Sequence, residues 1–347
     1  FFSEGGSDIE VSEDGNTVFL ASQRTVPDAL QLLNAPTAHT PRGVYIVDVT
    51  DKKNPRMESF FPLPVNGPHT DFYYKMGDRE LLILCTYDLV ANPLDSSLLT
   101  SNPATQRVLI TEIVNGPQGK TLEILSVYQV RSGPGLVFPH DATVQKHPLT
   151  NQTLMYVAYW DAGLRIVDIS DPTNPVELSS FDDFAPSAFK NSHDAKAFPM
   201  LVEGRHVTAV APELVTAPED SQITFVDTTD PANPVKLGYW SLPGDMQTTE
   251  PFLFSPHNFD ISEDGLLAFA HYHGGVWLLD VSNLTNLAAP PVLGYYQPHM
   301  PREGYTGGIP WVWGAFLRDG KIWASDTGTG LYILERSTEV VAPSGGN

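Results

Sequence analysis

Four histidines begin similar short segments and indicate a metal site. They are His69, His140, His193 and His257, where the sequence reads HTDFYY, HDATVQ, HDAKAF and HNFDIS. Neutral imidazoles are common ligands of Zn, Cu, Mn, Fe and Ni. Several of them held around one point can bind one such ion and leave a coordination position open. The pattern predicts a divalent transition metal whose identity the sequence does not give.

A second set of residues, which also carries acid and imidazole groups, follows each segment by about one strand. The set reads Thr86-Tyr87-Asp88, Tyr159-Trp160-Asp161, Ala211-Pro212-Glu213, His271-Tyr272-His273 and Ser325-Asp326-Thr327. His271 and His273 add two candidate metal ligands. Glu213, Asp161 and Tyr159 are candidates for acid–base catalysis, because such groups shift their pKa when they cluster in a cleft. No nucleophile elbow, phosphate-binding loop or metalloprotease helix motif is present in the sequence.

A purely structural interpretation of the four histidines is also open. Each imidazole can cap the start of its strand by bonding a neighbouring backbone carbonyl. Repeat proteins copy structural residues as readily as functional ones. The sequence alone does not decide between ligands and caps.

The elements that would position these residues repeat along the chain. GVYIVDVTDKKNP, GLRIVDISDPTNP, QITFVDTTDPANP and GVWLLDVSNLTN are copies of one strand and turn, with Asp48, Asp168, Asp227 and Asp280 in register. The first interval is about twice the others, which indicates a divergent copy around VLITEIVNG. A strand-rich unit at this period is typical of a β-propeller.

The repeats predict an all-β chain with six four-stranded blades in a single domain over residues 1–347. The blades are expected at about 5–65, 67–136, 138–182, 192–243, 255–297 and 311–342. A seventh blade stays open if residues precede Phe1. The stretches 27–42 and 88–106 are expected to be loops inside blades.

The propeller arrangement would bring the two sets of residues together. The innermost strands line the central channel, so residues at one repeat position converge on one axis. Strand two runs antiparallel to strand one, so its end lies on the same face as the start of strand one. We therefore expect the histidines and the acidic residues at one mouth of the channel. Asp141, Asp194 and Asn258 directly follow their histidines and could orient the ligands by hydrogen bonds. Adjacent strand residues point to opposite faces, so each would act on a histidine other than its own neighbour.

The repeated Asp-x-Ser/Thr-Asp-Pro has a structural explanation. Asp and Ser side chains bond backbone N–H groups in tight turns, and Pro presets φ. Calcium binding at these positions would need six to eight oxygens around one point. One such turn per blade places the carboxylates far apart, which favours the turn interpretation.

Composition restricts the partners and the compartment. The net charge of −21 argues against nucleic acid as a partner, because polyanions are bound by Lys and Arg. No apolar run is long enough to span a membrane. Cys85 is the only cysteine and lies in the apolar run LLILCTY. The start at Phe1 is compatible with removal of a signal peptide.

The repeated strand resembles the LVIVD-repeat family of bacterial and archaeal propellers. The motif appears as VYIVDVTD, LRIVDISDP and ITFVDTTDP, and AYWDAGL and AHYHGGV precede the third strand of their units. The resemblance implies a secreted, periplasmic or cell-surface protein. It implies no particular activity, so whether the chain is an enzyme stays open.

Two functions follow from the sequence. The first is an extracytoplasmic propeller with a histidine-rich metal site at the channel mouth, acting as a metal-dependent enzyme on a small extracellular substrate. The second is a non-catalytic surface module that binds a protein or glycan, for example through the long segment 88–106.

Overall fold

The computed structural model describes residues 6–23, 42–63, 67–87, 89–92, 95–101, 105–117, 119–184, 191–213, 221–243, 255–298 and 310–336. Within these ranges the chain is almost entirely β-strand. Helix is confined there to a one-turn 3-10 segment at Trp160–Ala162 and to α1 at Leu284–Ala288. The strands are rich in Val, Ile and aromatic residues, which suit a pleated surface. The all-β prediction is confirmed, and no helix in these ranges has the length and apolarity that a membrane span requires.

The first three sheets each contain four antiparallel strands. The first sheet comprises β1 (Gly6–Val11), β2 (Thr17–Ser22), β3 (Gly43–Asp48) and β4 (Arg56–Pro62). The second comprises β5 (Pro68–Met76), β6 (Arg79–Thr86), β9 (Arg107–Gly116) and β10 (Gly119–Tyr128). The third comprises β11 (Asp141–Lys146), β12 (Thr153–Ala158), β13 (Leu164–Asp168) and β14 (Val176–Phe181).

Three further sheets follow in the same order along the chain. The fourth comprises β15 (Asp194–Ala197), β16 (Val207–Ala211), β17 (Gln222–Asp227) and β18 (Val235–Ser241). The fifth comprises β19 (Phe259–Ile261), β20 (Leu266–His271), β21 (Gly275–Asp280) and β22 (Val292–Tyr296). The sixth has three strands among the described residues, β23 (Val312–Arg318), β24 (Lys321–Asp326) and β25 (Gly330–Leu334). The chain is therefore a six-bladed β-propeller, as the repeats predict.

The long segment of the second sheet departs from its predicted form. Residues 88–106 were expected to be a loop, but β7 (Leu89–Asn92) and β8 (Asp95–Ser101) pair there as a separate two-stranded hairpin. The segment lacks the strand pattern of the repeats, so the repeat alignment gave no sign of it. The other predicted loop, residues 27–42, lies outside the described residues except for Arg42.

The repeated aspartates form turns, as predicted. Each carboxylate at the end of a third strand accepts the backbone N–H two residues later, at 2.8 Å for Asp48 and Asp168 and 3.0 Å for Asp227 and Asp280. These bonds lower the pKa of Asp48 and Asp280, because they stabilise the ionised carboxylate. The turn fixes the direction in which the chain leaves the third strand.

The glycine that begins the repeated strand has a steric role. Gly43, Gly163 and Gly275 all have positive φ. A Cβ at these positions would lie 2.0, 2.4 and 2.3 Å from a carbonyl oxygen of the neighbouring fourth strand or its end. Only glycine fits this conformation and this close approach. Close pairing of the third and fourth strands in each of these blades therefore requires glycine at this position.

Two compact units can be distinguished, comprising residues 1–197, 206–210 and 226–236, and residues 198–205, 211–225 and 237–347. The described residues of the first unit form several apolar clusters, whose buried members include Ile46, Met155 and Tyr156. Cys85 belongs to one of them and is buried, as the apolar run predicts. The second unit contains a cluster around Ala268 and Ala315. The single domain expected over residues 1–347 stays a prediction.

Candidate functional site

Three of the four predicted histidines lie in a row in the first unit. His69 Nε2 is 3.0 Å from His140 Nε2, and the ring centroids of His140 and His193 are 4.0 Å apart. His140 and His193 are buried, and His193 has no exposed surface. His69 lies at the start of β5, and His140 and His193 immediately precede β11 and β15. Repetition of one fold position thus brings residues together that are far apart in sequence.

The protonation state of His69 follows from its hydrogen bonds. Gln23 Nε2 donates to the carbonyl oxygen of Tyr87 at 3.2 Å, which leaves Gln23 Oε1 to face His69 Nδ1 at 2.6 Å. An amide oxygen only accepts, so Nδ1 carries the hydrogen. Burial lowers the pKa of His69 to about 4, so the ring is neutral at pH 7. The lone pair is therefore on Nε2, the atom that faces His140.

The short distance between the two Nε2 atoms has two chemical explanations. His140 can donate its hydrogen to the lone pair of His69, or both nitrogens can present lone pairs to one ion. Two nitrogens bound to a tetrahedral ion at about 2.0–2.1 Å lie about 3.3 Å apart. The observed 3.0 Å is close to that separation. The Gln23 contact is the kind of outer hydrogen bond that orients a metal-bound histidine.

Aromatic side chains enclose the row of histidines. Tyr87 contacts His69 with a centroid distance of 4.8 Å, and Trp160 contacts His140 at 5.5 Å. Trp160 has φ of 40°, which is unfavourable for a bulky residue. Its backbone N–H and C=O are both bonded to Ser192, immediately before His193. These two bonds hold the strained conformation beside the site, where such strain is commonly found.

Glu213 has its own set of contacts in the second unit. Tyr272 Oη donates a hydrogen bond to Glu213 Oε1, and His257 Nε2 lies 3.7 Å from the same oxygen. Burial raises the pKa of Glu213 to about 7, and the bond from Tyr272 opposes that rise. Tyr272 has φ of 32° and occupies the same place after the second strand as Trp160. The strained aromatic residue thus recurs in two blades.

His257 matches the structural interpretation more closely than the other three histidines. Its Nδ1 donates to the carbonyl oxygen of Trp313 at 2.6 Å, which is the predicted cap on a neighbouring strand. Its ring contacts Trp313 at a centroid distance of 4.2 Å and stacks on Tyr272. The Nδ1 hydrogen leaves Nε2 as the atom nearest to Glu213.

The row of imidazoles is the candidate metal group of the first unit. His69 and His140 face one another through their Nε2 atoms at 3.0 Å, and the ring of His193 lies next to that of His140. Glu213 lies in the second unit, and its predicted catalytic role stays a prediction.

The other two candidate histidines have different surroundings. His271 Nε2 is 2.9 Å from Ser221 Oγ, and its ring contacts Trp240 and Phe269. Burial lowers the pKa of His271 to about 3. His273 is buried and its ring contacts Trp311 at a centroid distance of 5.2 Å. Their predicted role as metal ligands stays a prediction.

Asp161 and Tyr159 make structural contacts with the chain that leads to β11. Asp161 Oδ2 accepts the backbone N–H of Leu136 at 2.7 Å. Tyr159 Oη accepts the backbone N–H of Val130 at 3.0 Å, and its ring has no exposed surface. These hydrogen bonds satisfy the Asp161 carboxylate and the Tyr159 hydroxyl within the fold. The catalytic role predicted for Asp161 and Tyr159 stays a prediction.

Gln23 is a residue of the site that sequence reasoning missed. It follows β2, at the end of the second strand of the first blade. The corresponding positions in later blades carry acidic or aromatic residues and were singled out for that reason. A neutral amide in the first blade gave no chemical signal, although alignment of the second strands places it in the same row.

The comparisons with known proteins support the fold. The family model described as "LVIVD repeat" matches residues 154–183, which confirms the resemblance for one repeat. No curated protein matches the chain.

Solved structures resemble this chain at low sequence identity. The periplasmic gluconolactonase PpgL of Pseudomonas aeruginosa has a TM-score of 0.59 and 12% identity, with 95% of this chain and 84% of that chain covered. A Bacteroides uniformis protein provisionally assigned as a 6-phosphogluconolactonase has a TM-score of 0.56 and 12% identity, over 95% and 86% of the two chains. The RRP9 WD40 repeats have a TM-score of 0.55 and 9% identity, over 96% and 77%. These likenesses show the propeller fold.

Proposed function

We propose that this chain is an extracytoplasmic β-propeller that binds a divalent transition metal on the imidazoles of His69 and His140, beside His193, and acts as a metal-dependent enzyme. The observation that carries the proposal is the pair of Nε2 atoms of His69 and His140, which face one another at 3.0 Å. This distance is close to the roughly 3.3 Å between two nitrogens bound to one tetrahedral ion. Imidazole suits Zn, Cu, Fe and Ni, and a metal held by few protein ligands leaves coordination positions for a substrate.

The surrounding residues support a metal at this group. His69 is neutral and directs its Nε2 lone pair towards His140 Nε2, so both nitrogens can face one ion. Gln23 Oε1 accepts the Nδ1 hydrogen of His69 at 2.6 Å and fixes the orientation of the ring. A bound ion would polarise a substrate carbonyl or lower the pKa of a bound water. The enclosing aromatic rings would restrict access of bulk water.

The class of substrate is a separate part of the proposal. The similar structures include a periplasmic gluconolactonase, so a sugar lactone is the first substrate class to test and a periplasmic or secreted location is the first to examine. Metal-assisted hydrolysis of an ester bond is compatible with the ligand set. A small polar molecule is therefore the proposed partner, and the net charge of −21 opposes nucleic acid.

Metal analysis of the purified protein tests the proposal. The protein is stripped with a chelator, incubated separately with Zn²⁺, Cu²⁺, Mn²⁺, Fe²⁺ and Ni²⁺, dialysed, and analysed by plasma mass spectrometry. We expect one equivalent of one metal and a higher melting temperature for the loaded protein. His140→Ala removes one of the two facing imidazoles and should lose the metal. His271→Ala removes another buried imidazole, which bonds Ser221, and should keep it.

Two results would separate the parts of the proposal. Absence of any stoichiometric transition metal, with no thermal shift on addition of one, would refute the metal site. A bound metal without hydrolysis of gluconolactone or related lactones would retain the site and exclude the lactone class. Circular dichroism of the variants confirms that loss of metal is not loss of fold.

The alternative function is a non-catalytic module that binds a protein or glycan. The observation in its favour is the hairpin of β7 and β8, which pairs apart from the four-stranded sheet in which it is inserted. Deletion of residues 89–101 should abolish capture of a surface glycan or protein and leave metal content unchanged. Loss of metal with retained capture would contradict this function.

A further inference from the structure

We propose that the 3-10 turn at Trp160–Ala162 positions the imidazoles of His140 and His193 beside one another, and that Asp161 is the positioning residue within this turn. The inference rests on the proposed function, because it explains how the chain holds the row of imidazoles in place for an ion. The turn is hydrogen-bonded on one side to the chain that leads to His140 and on the other side to the residue before His193.

The first set of bonds joins the turn to the chain before His140. The backbone N–H of Asp161 donates to the carbonyl oxygen of Leu136 at 3.1 Å, and Asp161 Oδ2 accepts the Leu136 N–H at 2.7 Å. The ring of Phe138 stacks on the ring of Trp160 with a centroid distance of 4.8 Å. The main chain from Leu136 to His140 is therefore fixed to the turn by both backbone and side-chain contacts.

Gly135 allows the Asp161 carboxylate to approach this chain. Its φ is 61°, and a Cβ at this position would lie 2.1 Å from Asp161 Oδ2. A side chain here would displace the carboxylate from the Leu136 N–H and would also strain the backbone. The segment before His140 thus has a glycine at the point where the bond from Asp161 requires one.

The second set of bonds joins the same turn to the residue before His193. The Trp160 N–H donates to the carbonyl oxygen of Ser192 at 3.1 Å, and the Ser192 N–H donates to the carbonyl oxygen of Trp160 at 3.0 Å. The Trp160 ring contacts the rings of His140 and His193 at centroid distances of 5.5 and 6.5 Å. One turn therefore fixes the approach of both histidines, whose ring centroids are 4.0 Å apart.

The chemistry of the Asp161 bond distinguishes positioning from catalysis. A backbone N–H needs only an acceptor oxygen, and the side-chain oxygen of asparagine is such an acceptor. The catalytic role that the sequence suggests for Asp161 requires a group that gains and loses a proton. A positioning role therefore tolerates Asp161→Asn, whereas an acid–base role does not.

Two substitutions of Asp161 test the proposal, with Co²⁺ as the probe in calorimetric titration and visible spectroscopy of the chelator-treated whole chain. Asp161→Ala removes the acceptor for the Leu136 N–H and should weaken Co²⁺ binding roughly tenfold and change the spectrum. Asp161→Asn should retain the affinity and the spectrum of the wild type. Asp168→Ala removes a carboxylate that accepts the Ser170 N–H at 2.8 Å in the same blade and should leave both unchanged.

NMR of the metal-free protein separates this inference from the proposed function. With ¹⁵N-labelled histidine, the imidazole resonances of His140 and His193 should shift in Asp161→Ala and stay at the wild-type positions in Asp161→Asn and Asp168→Ala. Asp161→Asn and Asp161→Ala remove the same charge, so a difference between them reports the bond to Leu136. If the wild type binds no metal but these shifts occur, the proposed function fails and the positioning role stands.

Two results would overturn the positioning role. The first is Asp161→Ala with wild-type imidazole resonances, or with wild-type affinity in a protein that binds Co²⁺. The second is an equal change in Asp161→Asn, which would assign the effect to the charge of Asp161. If circular dichroism shows that Asp161→Ala does not fold, Gly135→Ala takes its place, because its Cβ would displace the same carboxylate. Unchanged imidazole resonances in that variant contradict the proposal.

Discussion

Hydrogen bonds from residues outside the metal group control its chemistry at the scale of single side chains. Gln23 is the clearest example, because its oxygen fixes the hydrogen of His69 on Nδ1. The Gln23 amide N–H donates to the carbonyl oxygen of Tyr87, so the Gln23 amide oxygen faces His69 and accepts its Nδ1 hydrogen. These two hydrogen bonds together leave Nε2 of His69 facing His140. Gln23, which is not itself a metal ligand, therefore determines which nitrogen of His69 carries the lone pair.

We predict that Gln23→Ala weakens metal binding by roughly tenfold, because loss of an outer hydrogen bond leaves the His69 ring free to turn. The measurement is the metal dissociation constant, obtained by calorimetric titration of the metal into the chelator-treated protein. Gln297→Ala is the control, since Gln297 also donates its amide to a backbone carbonyl, that of His273. Equal weakening in both variants would mean that the effect is general and does not act through His69.

We predict that Tyr272→Phe raises the pKa of Glu213 above its present value of about 7. The lost O–H group stabilises the ionised carboxylate, so its removal favours the protonated form. Carbon-13 NMR titration of the Glu213 carboxyl in metal-free protein gives the value directly. Tyr159→Phe removes a phenol that bonds Val130 and should leave the Glu213 midpoint where it is. A lower midpoint in Tyr272→Phe would contradict the assigned direction of this bond.

At the scale of strands and turns, the repeats predict the elements well because each copy carries its own steric and hydrogen-bonding signals. The Asp that ends the third strand bonds a backbone N–H two residues later, and the Gly that begins it has positive φ. Both effects depend on nearby residues in the chain, so the repeat pattern predicts them. The bulge in β5 between Pro68 and Thr70 is different. It adds a residue without a composition signal and changes which side chains share a face.

We predict that Gly163→Ala strongly destabilises the protein, whereas Gly330→Ala has a milder effect. Both glycines begin the third strand of a blade and both have positive φ. A Cβ at Gly163 would lie 2.4 Å from the carbonyl oxygen of Phe181, while one at Gly330 would meet no atom within 4 Å. Gly330→Ala therefore has only the backbone strain of about 1 kcal/mol or more. Urea unfolding of the two variants should rank them in this order, and equal losses would show that the contact with the fourth strand is unimportant.

At the scale of the whole molecule, packing between neighbouring blades accounts for both what the sequence predicts and what it does not. It brings His69, His140 and His193 into a row, as their repeat position indicates. It does not make the positions equivalent, because His257 bonds a backbone carbonyl at the place where His69 bonds a side chain. The partner of each histidine comes from a neighbouring blade, and a repeat alignment contains no information on such partners.

The last prediction concerns the pH dependence of global stability in the metal-free protein. Burial lowers the pKa of His69 to about 4 and of His206 and His271 to about 3. The unfolded chain protonates these histidines near pH 6.5, so their contribution is present above that pH and is lost as the pH falls towards 3. Burial has the opposite effect on carboxyl groups and raises the pKa of Asp8 to about 6 and of Glu10 to about 8. Their contribution is present below about pH 4 and is lost as the pH rises to 8.

The two groups together predict a maximum of the unfolding free energy between roughly pH 6 and 7, because the folded and unfolded states bind equal numbers of protons on these groups there. Urea unfolding at unit intervals from pH 4 to pH 8, in the presence of a chelator, measures the curve. His271→Gln should flatten its acidic side and Glu10→Gln its alkaline side, because each removes one of the groups whose pKa differs between the folded and unfolded states. Stability that continues to rise from pH 6 to pH 8 would show that the carboxylates are ionised and accommodated in the metal-free fold.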